Sequence, residues 1–351
     1  MTTKTRYFVI ASLLVLTIGI GTGLVAYYVG LPTSAFSSRG GPAELQYVPR
    51  NAAVVAFANV QEVMSSELRQ RLRQAMPVQG NGQREFQNET GINIENDIDR
   101  VVACLDTERT SGNIPGSGMV LARGRFDEVK IEALMREHGA QVQDYKGKRL
   151  IVADITTLHK DAAGQQAPGD APVQKPARTG DFALAFIEPG LAAVGSADLV
   201  RTAIDLKDGG ESVATNEDLM NLVRSLEGSN NAWAVGRFDA LTARAKLPAG
   251  VAGRLPAITW FSVGTHVNGG ISGLLRADTR DGEAANNLRD VVRGFLALAK
   301  MQSGARPELR AVVDSIEVSG TGNTVALSFS VPAQVFDLIG ALAGRSGDKA
   351  H

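Results

Sequence analysis

Residues 7–31, YFVIASLLVLTIGIGTGLVAYYVGL, contain no charged side chain, and this limits what the rest of the chain can be. A helix of roughly 20 apolar residues is long enough to cross a bilayer. Lys4 and Arg6 precede the run, and only Arg39 follows it closely, so the positive bias lies on the N-terminal side. We therefore predict a cytoplasmic N-terminus (1–6), a transmembrane anchor (7–31) and a C-terminal region facing the periplasm or exterior.

A cleaved secretory signal is the alternative interpretation of this run. Such a signal has an apolar region of about 7 to 15 residues and a small-x-small cleavage site. The run here is longer, and its best candidate site, residues 33–35, matches poorly. Tyr7, Tyr27 and Tyr28 lie near its two ends, where aromatic rings prefer the headgroup boundary. These features favour a retained anchor in a bacterial inner (cytoplasmic) membrane, crossed once.

Gly19 and Gly23 form a GxxxG spacing inside the predicted anchor. Because small residues four apart let two membrane helices approach closely, they are candidate helix–helix contacts in a self-associated chain. Glycine is common in membrane helices, so ordinary composition is the competing interpretation.

Charge and cysteine content exclude several classes of protein. The chain of 351 residues has 36 Lys and Arg against 37 Asp and Glu, so no strong field attracts nucleic acid. Cys104 is the single cysteine, so no intramolecular disulfide can form. The folded region must be stabilised by packing, and nucleic acid is not an expected partner.

Composition divides the chain after the anchor. A Ser, Gly, Arg and Pro tether (32–42) leads into a first domain (43–210) and a second domain (211–343), followed by a polar tail (344–351). Inside the first domain, residues 156–180 are rich in Pro, Ala, Gly and Gln, a composition that buries too little apolar surface to fold. We predict a disordered insertion there.

The pattern of apolar residues predicts an α+β fold with tandem α+β domains, antiparallel hairpins and packed helices. The predicted hairpins pair residues 141–145 with 150–155, 182–187 with 191–194, 258–267 with 271–277, and 315–319 with 324–331. Further strand-like runs are residues 53–58, 100–105 and 119–122. The longest predicted helix runs from about Gly282 to Met301, with Leu288, Val291, Val292, Phe295, Leu298 and Ala299 at helical spacing.

One short motif occurs twice. Gly-Arg-Phe-Asp is found at residues 124–127 and again at 236–239, each time after an apolar strand and before a helical pattern. Residues 56–59, Ala-Phe-Ala-Asn, have the same layout. A repeated strand–helix element accounts for this, with Phe packed inward and Asp or Asn capping the following helix. The alternative is a shared binding site for an anion, formed by Arg125 and Arg237.

Three further segments carry a resemblance to a known group of proteins. They are Tyr47-Val48-Pro49, the strand-like run at residues 54–58, and Ala193-Val-Gly-Ser-Ala-Asp-Leu199. With these segments the chain resembles bacterial single-span membrane-anchored proteins classed as domains of unknown function. The resemblance covers most of residues 43–343. It implies an extracytoplasmic α+β region behind one anchor, and it brings no catalytic residues.

The common catalytic signatures are missing from the sequence. There is no GxxxxGK[ST], GxSxG, HExxH or CxxC motif, and the four histidines have no ligand-like spacing, so we predict no catalytic residue, cofactor or metal. The main hypothesis is a non-enzymatic envelope protein that binds another envelope protein, associates with itself or stabilises an assembly. A carrier of lipid or another hydrophobic ligand in an α+β cavity is the alternative, and a hydrolase without a sequential motif comes third.

Overall fold

The computed structural model describes residues 41–75, 87, 90–111, 114–137, 139–153, 182–240, 257–302, 307–333 and 335. The predicted anchor with Gly19 and Gly23, the predicted insertion and the predicted tail lie outside these residues. Among the helices of the described ranges, none combines the length and the hydropathy that crossing a bilayer requires.

Strands and helices are mixed along the described chain, which confirms the α+β class. The strands are β1 (Val54–Asn59), β2 (Ile98–Ser111), β3 (Ile114–Gly124), β4 (Gln141–Tyr145), β5 (Lys148–Ala153), β6 (Phe182–Glu188), β7 (Leu191–Ser196), β8 (Ala232–Arg237), β9 (Ile258–Val267), β10 (Gly270–Thr279), β11 (Glu317–Ser319) and β12 (Thr324–Pro332). The helices are α1 (Val60–Ser65), α2 (Glu67–Ala75), α3 (Ile94–Asp97), α4 (Glu128–Glu137), α5 (Ala197–Lys207), α6 (Glu217–Leu226), α7 (Gly282–Gln302) and α8 (Pro307–Asp314). Two 3-10 turns are Ala43–Tyr47 and Val213–Thr215.

These strands form one antiparallel sheet. Their order is β11-β12-β10-β9-β8-β1-β2-β3-β7-β6-β5-β4. The four predicted hairpins are confirmed as β4-β5, β6-β7, β9-β10 and β11-β12. A further hairpin, β2-β3, was not predicted. The sequence predicted only the shorter strand-like runs 100–105 and 119–122, because the outer residues are too polar to show a strand pattern and become extended by pairing with each other.

The larger core lies on one face of the sheet. Side chains alternate between faces along a strand, and Val55, Val102 and Leu121 point to this first face. The layer that covers them comes from the Ala43–Tyr47 turn, α5 and α6, and contributes Leu45, Tyr47, Leu199, Val200, Ile204, Leu219, Val223 and Leu226. Trp233 is 1% exposed here and stacks on Phe57 with ring centroids 5.5 Å apart. Burying side chains of this size stabilises by roughly 1.5 to 3 kcal/mol each.

The second face is covered by separate groups of helices. Val63 of α1 and Leu68 of α2 pack with Val267 of β9 in one small cluster. Met135 of α4 packs beside Ile151 of β5 in another. Helices α7 and α8 lie against β12, and α7 also contacts β10. Helix α7 therefore lies on the part of the sheet contributed by the second half of the chain.

The sheet and the main core continue across the boundary predicted between residues 210 and 211. Strand β1 pairs with β2 on one side and with β8 on the other. Leu199 from before the boundary and Leu219 from after it belong to the same core cluster. A strand has backbone hydrogen-bonding groups along both edges. Strand β2 pairs with one edge of β1, and β8 pairs with the other. The two halves of the chain thus contribute to a single sheet.

Candidate functional site

Helix α7 is the longest described helix, and its N-terminus is fixed to the sheet. Asp281 accepts a hydrogen bond from the backbone N–H of Ala284 at 2.8 Å. That hydrogen bond is the main cause of the lowered pKa of Asp281. Ala285 is fully buried, and the Arg289 guanidinium donates to the carbonyl oxygens of Gly322 and Thr324 at 3.1 and 2.9 Å. The first half of α7 is therefore held against the β11-β12 hairpin.

The outer side of α7 carries an exposed apolar stripe. Val291, Phe295, Leu298 and Met301 are 52%, 69%, 51% and 81% exposed. Their spacing of four, three and three residues puts them on one side of the helix. We call these four residues the α7 stripe. Single exposed apolar residues are ordinary, whereas a row of four large ones on one side of a helix is a candidate contact surface.

The two cations near the α7 stripe, Arg293 and Lys300, point away from its centre. Arg293 is two residues before Phe295, and Lys300 is two residues after Leu298, so each is turned about 160° around the helix from that neighbour. Each of these cations is within 3.5 Å of an acid: Arg293 of Asp290, and Lys300 of Asp314. The α7 stripe itself is uncharged.

The surface around the α7 stripe is open. A β-carbon added at Gly294, one residue before Phe295, would meet no atom within 4 Å. Leu275 on β10 is also 40% exposed. A surface could therefore approach the helix at Gly294 without displacing any atom there.

The sequence predicted the helix and did not predict its exposed apolar side. The apolar residues of α7 spread over more than half of the helix circumference, because Val291 and Val292 are adjacent, as are Leu298 and Ala299. Val292 and Ala299 are partly buried, while Val291 and Leu298 are exposed. A helix that packs on a sheet needs an apolar side only about 100° wide. The greater width of the apolar side of α7 is therefore the feature of the sequence that could have predicted an exposed apolar surface.

A second candidate is a group of charged side chains at one end of β2, β3 and β6. Glu44 is fully buried and accepts from Arg100 Nε at 3.0 Å and from Arg123 Nε at 2.8 Å. Arg123 also donates to Glu188 at 2.6 Å, and the Tyr47 hydroxyl donates to Glu188 at 2.9 Å. We call these five residues the Glu44 network. Two carboxylates balance two guanidinium groups, so the network has no net charge with which to bind an ion.

The pKa values in the Glu44 network follow from burial and hydrogen bonding. Burial, together with the hydrogen bond to Glu188, raises the pKa of Tyr47 to about 12. Burial alone would raise the pKa of Glu188, but the hydrogen bonds from Arg123 and Tyr47 outweigh it and lower that pKa. A neutral tyrosine donor beside the ionised Glu188 carboxylate is suited to fixing the Ala43–Tyr47 turn on the sheet. The network is a structural support.

We expect the Glu188 contribution to stability to disappear in acid. A carboxyl group whose folded pKa is lowered stabilises the fold above its unfolded pKa and loses that contribution as the pH falls through the folded value. The free energy of unfolding of the wild type should therefore exceed that of Glu188→Gln at pH 7. This difference should shrink as the pH falls below 4.5, the ordinary pKa of a glutamate. Urea denaturation of both proteins between pH 7 and pH 3 measures it. A difference independent of pH would contradict the role given to the charge.

Arg125 and Arg237 do not meet. Arg125 contacts Asp97 at 3.5 Å and the carbonyl oxygen of Asn96, whereas Arg237 is 3.6 Å from Asp239. Strands β3 and β8 run in opposite directions. Gly236 pairs with Val54 of β1, Val54 with Leu105 of β2, and Leu105 with Gly118 of β3, so Gly236 and Gly118 lie side by side across the sheet. Gly118 is six residues before Gly124, where β3 ends. At about 3.3 Å per residue, the two motifs are separated by roughly 20 Å along the strands. The arginines therefore lie at opposite ends of the sheet.

The remaining residues of the two Gly-Arg-Phe-Asp motifs differ in part from prediction. Asp127 caps α4, since its carboxylate accepts from the backbone N–H of Lys130 at 3.0 Å. Asp239 accepts from the N–H of the next residue, Ala240, at 2.7 Å, which is not the position of a helix-capping bond. Phe126 and Phe238 are half-buried instead of largely buried, because each lies beyond the end of its strand. Phe126 contacts Phe186 with ring centroids 6.1 Å apart.

Both motifs do make the same backbone corner. The N–H of Arg125 donates to the carbonyl oxygen of Asp97 at 2.6 Å, and the N–H of Arg237 donates to that of Ala53 at 2.8 Å. A β-carbon added at the preceding glycine would lie only 1.9 Å from the Asp97 oxygen in the first motif, and 2.6 Å from the Ala53 oxygen in the second. In each motif, glycine is thus required because the carbonyl that binds the arginine amide fills the space of its side chain.

The described residues hold no obvious catalytic or metal centre. Among them, no group of three or more His, Cys, Asp or Glu side chains could hold a metal ion. Cys104 is buried in the main core, where a thiol acts as a small apolar side chain. The α7 stripe remains as the candidate site, and its chemistry is apolar contact.

Comparisons with known proteins do not supply a family. No family model matches the chain, and no curated protein matches it. A solved structure described as "Structure of crystal form I of TP0453" is similar over 88% of this chain and 100% of that chain, with a TM-score of 0.40 and 10% identity. A similarity of this size carries no argument about function.

Proposed function

We propose that this chain is a non-enzymatic protein of the bacterial cell envelope. Residues 7–31 hold it in the inner membrane by a single span, and its α+β region faces the periplasm or exterior and binds another surface through α7. The proposal rests on the α7 stripe. Four large apolar side chains exposed in one row lose contact with water when a surface covers them, at roughly 25 cal/mol per Å² of apolar area buried.

The α7 stripe favours a binding protein over the carrier hypothesis. A carrier turns its spare apolar side chains inward, around its ligand. Here Phe295 and Met301 face solvent at 69% and 81%. The neutral Glu44 network likewise offers no group positioned to act on a substrate.

Photocrosslinking from α7 in native membranes tests this proposal. A photoreactive phenylalanine analogue introduced at position 295 of the full-length chain should form crosslinks in illuminated cells, because Phe295 lies in the α7 stripe. The same analogue at Arg293, on the opposite side of the helix, is the matched control. Equal or absent crosslinking at both positions would contradict α7 as the contact surface.

A reporter in the same cells tests the location. A phosphatase that is active only outside the cytoplasm, fused after His351, should be active, since residues 7–31 are expected to cross the membrane once with the N-terminus inside. A fusion that is produced but inactive would contradict the proposed orientation. It would not affect the interpretation of the crosslinking experiment, which tests the contact surface.

A further inference from the structure

We infer that the surface bound by the α7 stripe is the lipid headgroup and acyl boundary of the membrane that holds the anchor. The inference rests on the proposed function and specifies its partner. Helix α7 would lie in the plane of the membrane with Val291, Phe295, Leu298 and Met301 directed into the lipid and Arg293 and Lys300 directed into water. An interfacial helix has this division into one apolar side and one charged side.

The reach of the chain brings α7 to the bilayer. The part of the tether between the predicted anchor and Gly41 spans at most about 36 Å when fully extended. It ends where the Gly41 N–H donates to Glu227 at 3.1 Å, next to the end of α6, which packs on β8. Strands β10 and β12, which lie against α7, are two and three strands away from β8 in the sheet, about 10 to 15 Å. The tether is therefore long enough for α7, on the opposite face of the sheet, to touch the same membrane.

The size of the α7 stripe argues against a second copy of this chain. The stripe runs from Val291 to Met301, which is 11 residues or about 16 Å of helix, and one side of a helix is about 10 Å wide. It therefore offers on the order of 160 Å², well below the roughly 800 Å² per partner that stable complexes bury. A membrane supplies a partner surface without such a limit, and nothing lies within 4 Å of a β-carbon at Gly294 to obstruct it.

The charges of α7 indicate how it would bind lipid. The helix carries Glu283 and Asp290 against Arg289, Arg293 and Lys300, which leaves a net charge of +1 from three positive and two negative groups. The last two cations are close to acids, as described above. Binding should therefore depend mainly on apolar burial and only weakly on anionic lipid.

The test uses the full-length chain in vesicles that contain no other protein. The photoreactive analogue is placed at position 295 or at position 293, and the protein is reconstituted at a low protein-to-lipid ratio into phosphatidylcholine vesicles. Lipid adducts are counted by mass spectrometry. We expect at least about tenfold more lipid adduct from 295, since a tenfold difference needs only about 1.4 kcal/mol of preference for the lipid-facing orientation. Replacing a third of the lipid by phosphatidylglycerol should change the yield less than about twofold.

Other results would overturn the inference in distinguishable ways. Crosslinked dimers in place of lipid adducts would show that a second copy covers the α7 stripe. Equal adduct yields at 295 and 293 would show that the helix does not lie on the membrane. A tenfold rise with phosphatidylglycerol would show electrostatic attachment instead of apolar burial. If lipid adducts fail here while position 295 still crosslinks to a protein in native membranes, the proposed function stands and the lipid partner does not.

Discussion

Gly124→Ala is expected to lower the free energy of unfolding by about 3 kcal/mol or more, because the new methyl group would overlap backbone atoms. Its β-carbon would lie 1.9 Å from the carbonyl oxygen of Asp97 and 2.9 Å from the Asp97 carbonyl carbon. That oxygen also accepts from the Arg125 N–H, so it cannot move away without breaking the corner that ends β3. Chemical denaturation followed by circular dichroism measures the loss.

Gly118→Ala is the matched control, on the same strand. A β-carbon at Gly118 would meet only the Cys104 carbonyl oxygen, at 3.8 Å, which is an ordinary contact. We expect a change within about 0.5 kcal/mol for this variant. Gly236→Ala, with its closest contact at 2.6 Å, should fall between the two. Equal stabilities for the Gly118 and Gly124 variants would show that the corner at Asp97 is not rigid.

Glu44→Gln is the second substitution expected to have a large effect, at about 3 kcal/mol. Arg100 and Arg123 are directly paired across β2 and β3, so their like charges face each other with Glu44 between them. Glutamine keeps the shape of the side chain and removes the charge that holds both guanidinium groups. Removing one member of a buried ion pair costs roughly 3 to 5 kcal/mol, and we take the lower end because Arg100 is 38% exposed.

The matched control for this substitution is Glu211→Gln. Glu211 pairs with Arg50 at 2.8 Å, and both side chains are largely in water, at 72% and 48% exposed. Exposed ion pairs contribute about 0 to 1 kcal/mol, so this variant should remain close to wild type. If Glu44→Gln lowers the free energy of unfolding no more than Glu211→Gln does, water solvates Arg100 and Arg123 well enough without the Glu44 carboxylate. Both variants are measured by urea denaturation at pH 7.

Local patterns in the sequence were enough to predict most of the elements. The hairpins at β4-β5, β6-β7, β9-β10 and β11-β12 were predictable because alternating apolar residues flank glycine or asparagine turns. The cap at Asp127 was predictable for a similar reason, since it depends only on residues within one turn of helix. The anchor at residues 7–31, the tether and the insertion remain predictions from composition.

What the sequence by itself determined is therefore local: the α+β class, the order of the hairpins and the start of α4 follow from periodicity, turn residues and caps. The tertiary structure decided which edges and faces are covered. It joined the two halves at β1 and β8, brought Glu44 of the Ala43–Tyr47 turn together with arginines of β2 and β3, and left Phe295 exposed while Val292 is partly buried. The physical reason is that burial of an apolar side chain and pairing of a charged one require contacts with residues that are distant in the sequence. The sequence pattern shows which side chains are apolar or charged, but only the folded chain decides which of them are covered or paired.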